Sequence, residues 1–316
     1  MKQIPLFLLS LPRSGSTLVQ RVLASHEEIS TAPEPWILLP QLYAMREGGA
    51  YAEYGQVPSS RAIREFADGL PGGREAYLEE LRSFALGLYR RASDGRGRYF
   101  LDKTPRYHFI AEELHALFPD ARFIYLWRNP LAIVASISET WGEGRWTVDR
   151  WHTDLFDGLI NLTDAFEAHA DRVCSVRYED LVTDPANAWP PLFDYLGLDF
   201  DPGFLTSFTG VPLEARMGDA TGKKRYGALS TESLERWKRT LDGPVRKRWC
   251  RNYLATIGER RLALMGYDQG ELLRSLDETA HGQGHIASDL ARATYARADR
   301  AGRGSAARLL WWKRKE

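Results

Sequence analysis

Residues 4–17, Ile-Pro-Leu-Phe-Leu-Leu-Ser-Leu-Pro-Arg-Ser-Gly-Ser-Thr, constrain this chain more than any other stretch. The apolar run Ile4 to Leu9 reads as a buried strand, and a tight polar loop follows it, Pro12-Arg13-Ser14-Gly15-Ser16-Thr17. Leu18, Val19, Val22 and Leu23 then recur at helical spacing. A strand that feeds a helix through small residues leaves the first amides of that helix without an intrahelical acceptor. They lie at the end of the helix dipole that favours negative charge. The predicted element is an anion cradle suited to phosphate.

The rest of the chain repeats this strand-then-helix alternation. Strands are predicted over 28–32, 98–103, 122–127 and 172–178, and helices over 36–46, 74–92, 107–117, 131–139, 149–170, 186–196 and 232–264. Gly48-Gly49, Pro58 and Pro71-Gly72-Gly73 mark loops. The segment Arg-Phe-Ile-Tyr-Leu-Trp, 122–127, is apolar almost throughout, as a strand covered on both faces must be. In the helix over 74–92, Tyr77, Leu78, Leu81, Phe84, Ala85 and Leu88 form one apolar stripe. The predicted fold class is therefore α/β, a central, mainly parallel β-sheet flanked by helices. The length suits one large α/β domain or two small ones, and the expected arrangement is one domain over 1–270, followed by a tail, 271–316, that is helical or partly disordered.

Charge and cysteine content narrow the function classes. Lys plus Arg and Asp plus Glu both number 42, so no bulk charge draws the chain to nucleic acid. The exception is local: Ile286 to Glu316 holds eight basic residues against three acids, beside the apolar patch Leu309-Leu310-Trp311-Trp312. That tail reads either as a loosely docked terminus or as a contact to an anionic membrane surface, partner or substrate. Two cysteines, Cys174 and Cys250, build neither a disulfide framework nor a Cys-rich metal site, which suits a cytoplasmic protein. The first apolar stretch is short and broken by Pro5 and Pro12, so it reads as part of the fold and not as a targeting segment.

Three constellations carry chemistry. Against the nucleotide-triphosphatase pattern Gly-x-x-x-x-Gly-Lys-Ser/Thr, Ser10 replaces the first Gly, Gly15 and Thr17 fit, and Ser16 stands where the lysine belongs. The spacing of the cradle survives, the lysine for a γ-phosphate is gone, and a basic group appears earlier, as Arg13. Arg128 follows the strand 122–127, and Ser136 lies about two turns into the next helix, within reach of one ligand group. Gly222-Lys223-Lys224-Arg225 forms a basic loop that reads alone as a solvated face.

Taken together, these residues resemble the sulfotransferases that use 3′-phosphoadenosine 5′-phosphosulfate (PAPS), a family with a P-loop-like fold. Pro-Arg-Ser-Gly-Ser-Thr is similar to the family's 5′-phosphosulfate loop, and Arg128 with Ser136 to its 3′-phosphate motif. Arg177-Tyr178-Glu179-Asp180-Leu181 is similar to its Tyr-Glu-Asp-Leu stretch, and Gly222-Lys223-Lys224 to its late cofactor loop. The resemblance is greater to the tyrosylprotein and related bacterial branch than to the small-molecule branch. In the latter a catalytic His follows Lys-Thr, whereas Pro105 follows Lys103-Thr104 here; an Arg of some members is Thr140 here.

The resemblance implies Glu34 as general base, Lys103 at the leaving oxygen, and Arg13 with Ser14, Gly15, Ser16 and Thr17 on the 5′-phosphate. It implies Arg128, Ser136, Gly222, Lys223 and Lys224 toward the rest of the cofactor, Tyr178 at the adenine, and no metal. A base role calls for a Glu34 carboxyl held in an apolar pocket. The plainer alternatives are a helix-N-terminal acid for Glu34, a salt bridge to Asp102 for Lys103, and a buried core residue for Tyr178. His108 is the rival base, and His26 reads as a packing residue. The product would be adenosine 3′,5′-bisphosphate and the acceptor a hydroxyl or amine on a small molecule, lipid, glycan or peptide. Residues 36–75 and 140–155, rich in aromatics, are expected to line its site. A nucleotide or small-molecule kinase, or a non-catalytic nucleotide-binding protein, are the competing readings.

Overall fold

Ile4–Leu9 forms the central strand β1 of a computed structural model that describes residues 3–46, 55–211, 213, 231–280, 282, 286–295 and 298. The other strands are β2 (Ile29–Thr31), β3 (Tyr99–Asp102), β4 (Arg122–Trp127) and β5 (Cys174–Arg177). All pairings are parallel and the order is β2-β3-β1-β4-β5. Phe7 of β1 lies in register with Asp102 on one side and Phe123 on the other. Because the strands are parallel, their carboxyl ends share one edge of the sheet. Open parallel sheets bind ligands at that edge.

The helices of this part are α1 (Ser16–Leu23), α2 (Leu38–Ala44), α3 (Gln56–Asp68), α4 (Gly73–Ala92) and α5 (Ala111–Leu117). They continue as α6 (Pro130–Thr140), α7 (Gly158–Ala168) and α8 (Tyr178–Thr183), with short helices at Pro185–Ala188, Pro190–Leu196 and Phe204–Ser207. Most predicted elements are found, with instructive differences. Pro58 marks no loop; it sits in the first turn of α3, where proline is tolerated. The expected helix over 107–117 opens with a 3₁₀ turn, Tyr107–Phe109. The expected helix over 232–264 is three, Glu232–Thr240, Pro244–Ile257 and Glu259–Leu264, cut at Gly243-Pro244 and at Gly258, whose φ is 81°. On α4 the buried face is Leu81, Ala85 and Tyr89, while Phe84 and Leu88 are exposed. The stripe is rotated because the Tyr89 hydroxyl finds a buried acceptor, described below.

The chain divides into two units, residues 1–127 with 161–229, and residues 128–160 with 230–316. The first contains the whole sheet. In the second, α6 runs against Glu232–Thr240, and a buried ion pair joins Arg246 Nε to Asp289 Oδ2 at 2.7 Å. The boundary expected at residue 270 falls inside the helix Gln269–Asp277, which buries Leu272 and Leu276. Residues 286–295, expected within the tail, are helical and supply Asp289 to that ion pair. Among the described residues no helix is long and apolar enough to cross a membrane.

Candidate active site

The loop after β1 is built as its residues dictate. Ser14 N donates to Leu11 O, and Gly15 occupies the left-handed region, φ 89°, as the residue that precedes α1. A Cβ at Gly15 would lie 2.4 Å from the Tyr178 ring, so the position demands glycine both for its backbone angle and for space. Arg13 is also left-handed, φ 68°, which a side chain seldom adopts; such residues persist where the surroundings over-determine them. The Ser14 hydroxyl is buried and has no hydrogen-bond partner among the described residues. A buried hydroxyl left so is costly, and a phosphate oxygen in the cradle would satisfy it together with the amides of Ser16 and Thr17. The loop therefore fits the anionic group that the sequence motif implies.

Lys103 and Glu34 stand at the same sheet edge, one following β3 and the other β2. Lys103 Nζ donates to Glu34 Oε1 at 2.7 Å, with the two side chains 4% and 10% exposed. Trp36 Nε1 makes a longer contact, 3.4 Å, to Glu34 Oε2. Glu34 thus sits in an ion pair and not in an apolar pocket, and it is no helix N-terminal acid, since α2 begins four residues later. Glu34 is the one hydrogen-bond partner of Lys103 among the described residues.

Asp102, the expected partner of Lys103, is occupied otherwise. It is fully buried and accepts from Tyr89 Oη at 2.6 Å, Thr104 Oγ1 at 2.9 Å and Tyr107 Oη at 3.1 Å. Burial raises its pKa from 3.8 to about 6, against the lowering effect of those three donors and of Lys103. Nothing in the sequence pointed to this cluster as a unit. Its one local signal was Asp-Lys-Thr at the end of an apolar strand, and Tyr89 comes from a distant helix.

The remaining sequence-derived residues fall as follows. Tyr178 opens α8 directly after β5, is 4% exposed, and lays its ring on Gly15. Its observed contact is with the loop itself. His108 is fully buried with its ring edge-on to Phe109. His26 packs near Phe193 and Phe204. Arg128 is the residue after β4 and begins the second unit, where its Nη2 donates to Ser233 O at 3.4 Å. Asn129 caps α6 by accepting from Leu131 N, Pro130 takes the first helical position, and Ser136 lies two turns in. Gly222, Lys223 and Lys224 lie outside the described residues.

A parallel sheet whose first strand ends in an anion cradle defines a nucleotide- or phosphate-binding α/β protein. Comparison with known proteins narrows that class. The profile of the sulfotransferase family matches residues 5–202, and the chain belongs to that family. Nodulation protein NoeE of Sinorhizobium fredii is 38% identical over 141 residues, 43% of this chain and 31% of that protein. An uncharacterized protein of Aquifex aeolicus is 24% identical over 74% of this chain and 30% of its own length. The chain thus spans under a third of these two relatives. Protein-tyrosine sulfotransferase 2 of Gallus gallus is 23% identical over 84% of this chain and 70% of that one. Among solved structures, the sulfotransferase domain of a Synechococcus olefin synthase aligns over 75% of this chain and 89% of that one, at 25% identity and a TM-score of 0.50. The sulfotransferase domain from the curacin biosynthetic pathway shares the fold, covering 75% of this chain and 91% of its own, at 22% identity and a TM-score of 0.51.

Proposed function

We propose that the chain transfers a sulfuryl group from PAPS to an acceptor hydroxyl or amine and releases adenosine 3′,5′-bisphosphate. The observation that carries this reading is the buried Lys103–Glu34 pair at the sheet edge where the loop presents the unsatisfied Ser14 hydroxyl. In this reaction the donor supplies an activated sulfuryl group, whose S–O bond to the 5′-phosphate breaks as the acceptor oxygen bonds to sulfur.

The residues have distinct tasks in this reading. Arg13 and the segment Ser14, Gly15, Ser16 and Thr17 hold the 5′-phosphate, and Lys103 neutralises the charge that builds on the leaving oxygen. Glu34 Oε1 is committed to Lys103, so Oε2, with only its long contact to Trp36, takes the acceptor proton. Arg128 and Ser136, with Gly222, Lys223 and Lys224, are assigned to the 3′-phosphate side on their motifs alone. Tyr178 supports the loop and through it the phosphate, and its adenine contact is assigned on its motif alone. A cytoplasmic setting, a transferase domain over 1–270 and an anionic contact for the tail complete the proposal.

The deciding experiment incubates the full chain with sulfur-labelled PAPS and fractionated host extracts. Tyrosyl peptides head a defined panel, because one relative is named a protein-tyrosine sulfotransferase. Label appearing covalently on an acceptor is the expected result. ATP-dependent phosphorylation that survives Ser16 and Arg128 substitution would replace this reading with a kinase. Tight adenosine 3′,5′-bisphosphate binding with no turnover on any acceptor would replace it with a non-catalytic binder.

A further inference from the structure

Asp102 is an acceptor-only carboxylate when ionised, and this fixes the direction of every hydrogen bond around it. Thr104 Oγ1 and Tyr107 Oη each own one proton, and each donates it to Asp102. Their lone pairs then face the other way. There Thr104 Oγ1 accepts from Trp36 N at 3.3 Å, and Tyr107 Oη accepts from Leu38 N at 3.3 Å. Two relays therefore run from one buried carboxylate to two backbone amides just beyond Glu34. Tyr89 Oη, from α4, is the third donor to Asp102.

The segment these relays grip needs holding. Trp36 has φ 58°, a left-handed conformation that a side-chain-bearing residue seldom adopts and that survives only when its surroundings impose it. Pro33 and Pro35 stiffen the chain on either side of Glu34, so rotation at Trp36 swings the carboxylate as a rigid piece. Lys103, between Asp102 and Thr104 in the chain, is fixed from the other side.

We propose that Asp102 is a positioning residue for sulfuryl transfer: by orienting the Thr104 and Tyr107 hydroxyls it locks the Trp36–Leu38 backbone and so seats Glu34 on Lys103. The inference rests on the assignment of Glu34 and Lys103 above. An amide at this position would present a donor to one of the hydroxyls. That hydroxyl then loses the acceptor for its own proton, so residue 102 no longer fixes which way its lone pairs point, and its grip on the backbone N–H is no longer imposed.

The test uses the full chain and two readouts, one independent of activity. The first is the rate at which acetic anhydride acetylates Lys103, measured by mass spectrometry relative to surface Lys238. Asp102→Asn should raise it at least fivefold in a protein whose circular dichroism is unchanged, and should raise it no further when Glu34 is already Gln. Thr104→Val cuts one relay while keeping both tyrosine bonds to Asp102, and serves should Asp102→Asn fail to fold. The second readout is PAPS turnover. Asp102→Asn should lower it about ten- to a hundredfold in the parent and less than twofold in the Glu34→Gln background. Folded variants with parental Lys103 reactivity, or fully additive losses in the turnover cycle, would overturn the proposal. Should the parent turn over no PAPS at all, the sulfotransferase reading fails on its own, and the acetylation rates still decide whether Asp102 seats the pair.

Discussion

In the second unit Arg246 and Asp289 are 9% and 4% exposed; in the first, Lys103 and Glu34 are 4% and 10% exposed. By burial the two ion pairs are alike. Arg246, however, spends Nε and Nη2 on Asp289, Nη1 on Thr240 O and Nη2 again on Gly144 O, and its guanidinium lies 5.4 Å from the Trp146 ring centre. Lys103 uses one of three donors among the described residues. A cation whose donors are mostly spent within its own fold, four of five for Arg246, is a fastening. On the proposed reading, one whose donors are mostly unspent, beside a carboxylate with a loosely held oxygen, is kept for a ligand. Burial alone did not separate the two; the count of satisfied donors did.

The comparison is tested hardest at Glu34. Glu34→Ala should reduce label transfer from PAPS by about 10²–10⁴-fold, the range of a lost general base, while adenosine 3′,5′-bisphosphate binding stays within about twofold. Retention of full transfer across pH would erase the distinction between the pairs. Asp289→Ala is the mirror experiment. It strands a buried guanidinium and should lower unfolding stability by about 3–5 kcal/mol in urea titrations, with transfer per folded molecule unchanged. A stability loss below about 1 kcal/mol would show that Arg246 is no fastening.

A third experiment reads the site's electrostatics through pH. Asp102 titrates at about 6 in the fold against 3.8 unfolded, so between those values the folded state holds the proton that the unfolded state has lost. Stability contributed by this group is therefore greatest at low pH and declines as pH rises from about 4 to about 6, by on the order of 3 kcal/mol, then stays flat. The stability difference between parent and Asp102→Asn should shift by that amount over the window, whatever the other carboxylates do. A pH-independent difference would mean that Asp102 is charged throughout. The smallest effect is expected for Gly15→Ala in the Tyr178→Ala background, about 1–3 kcal/mol for a left-handed side chain; in the parent the new methyl also meets the ring and the loss is larger. Calorimetric melts of the single and double variants measure both.

The features legible in the sequence were those carried by neighbours in the chain. The apolar runs at 4–9 and 122–127 match β1 and β4 to the residue, and Ser-Gly-Ser-Thr opens α1 as its small side chains require. Glu34 and Lys103 were found one at a time, yet their pairing was not, because Asp102 next door is the nearer acid in sequence and only the parallel β2-β3 register brings Glu34 across. The Asp102 cluster stayed hidden for the same reason: Tyr89 looks like a flank of the α4 stripe until a buried acceptor is known to face it. Tyr178 was singled out for a cofactor, and its first partner proves to be Gly15, from the opposite end of the unit. Tertiary contacts of this kind leave no periodic trace.

The ring of Tyr178 on Gly15 has a consequence for synthesis. A ribosome-bound chain that has emerged through β3 already carries the loop, Glu34, Asp102 and Lys103, and lacks the aromatic wall against which the loop is set. That wall arrives only when β5 has been made and docked beside β4, a closure between segments remote in the chain that local contacts cannot hasten. The loop thus gains its aromatic wall late, and a truncated product ending before residue 178 would carry residues 12–17 without the Tyr178 ring beside Gly15.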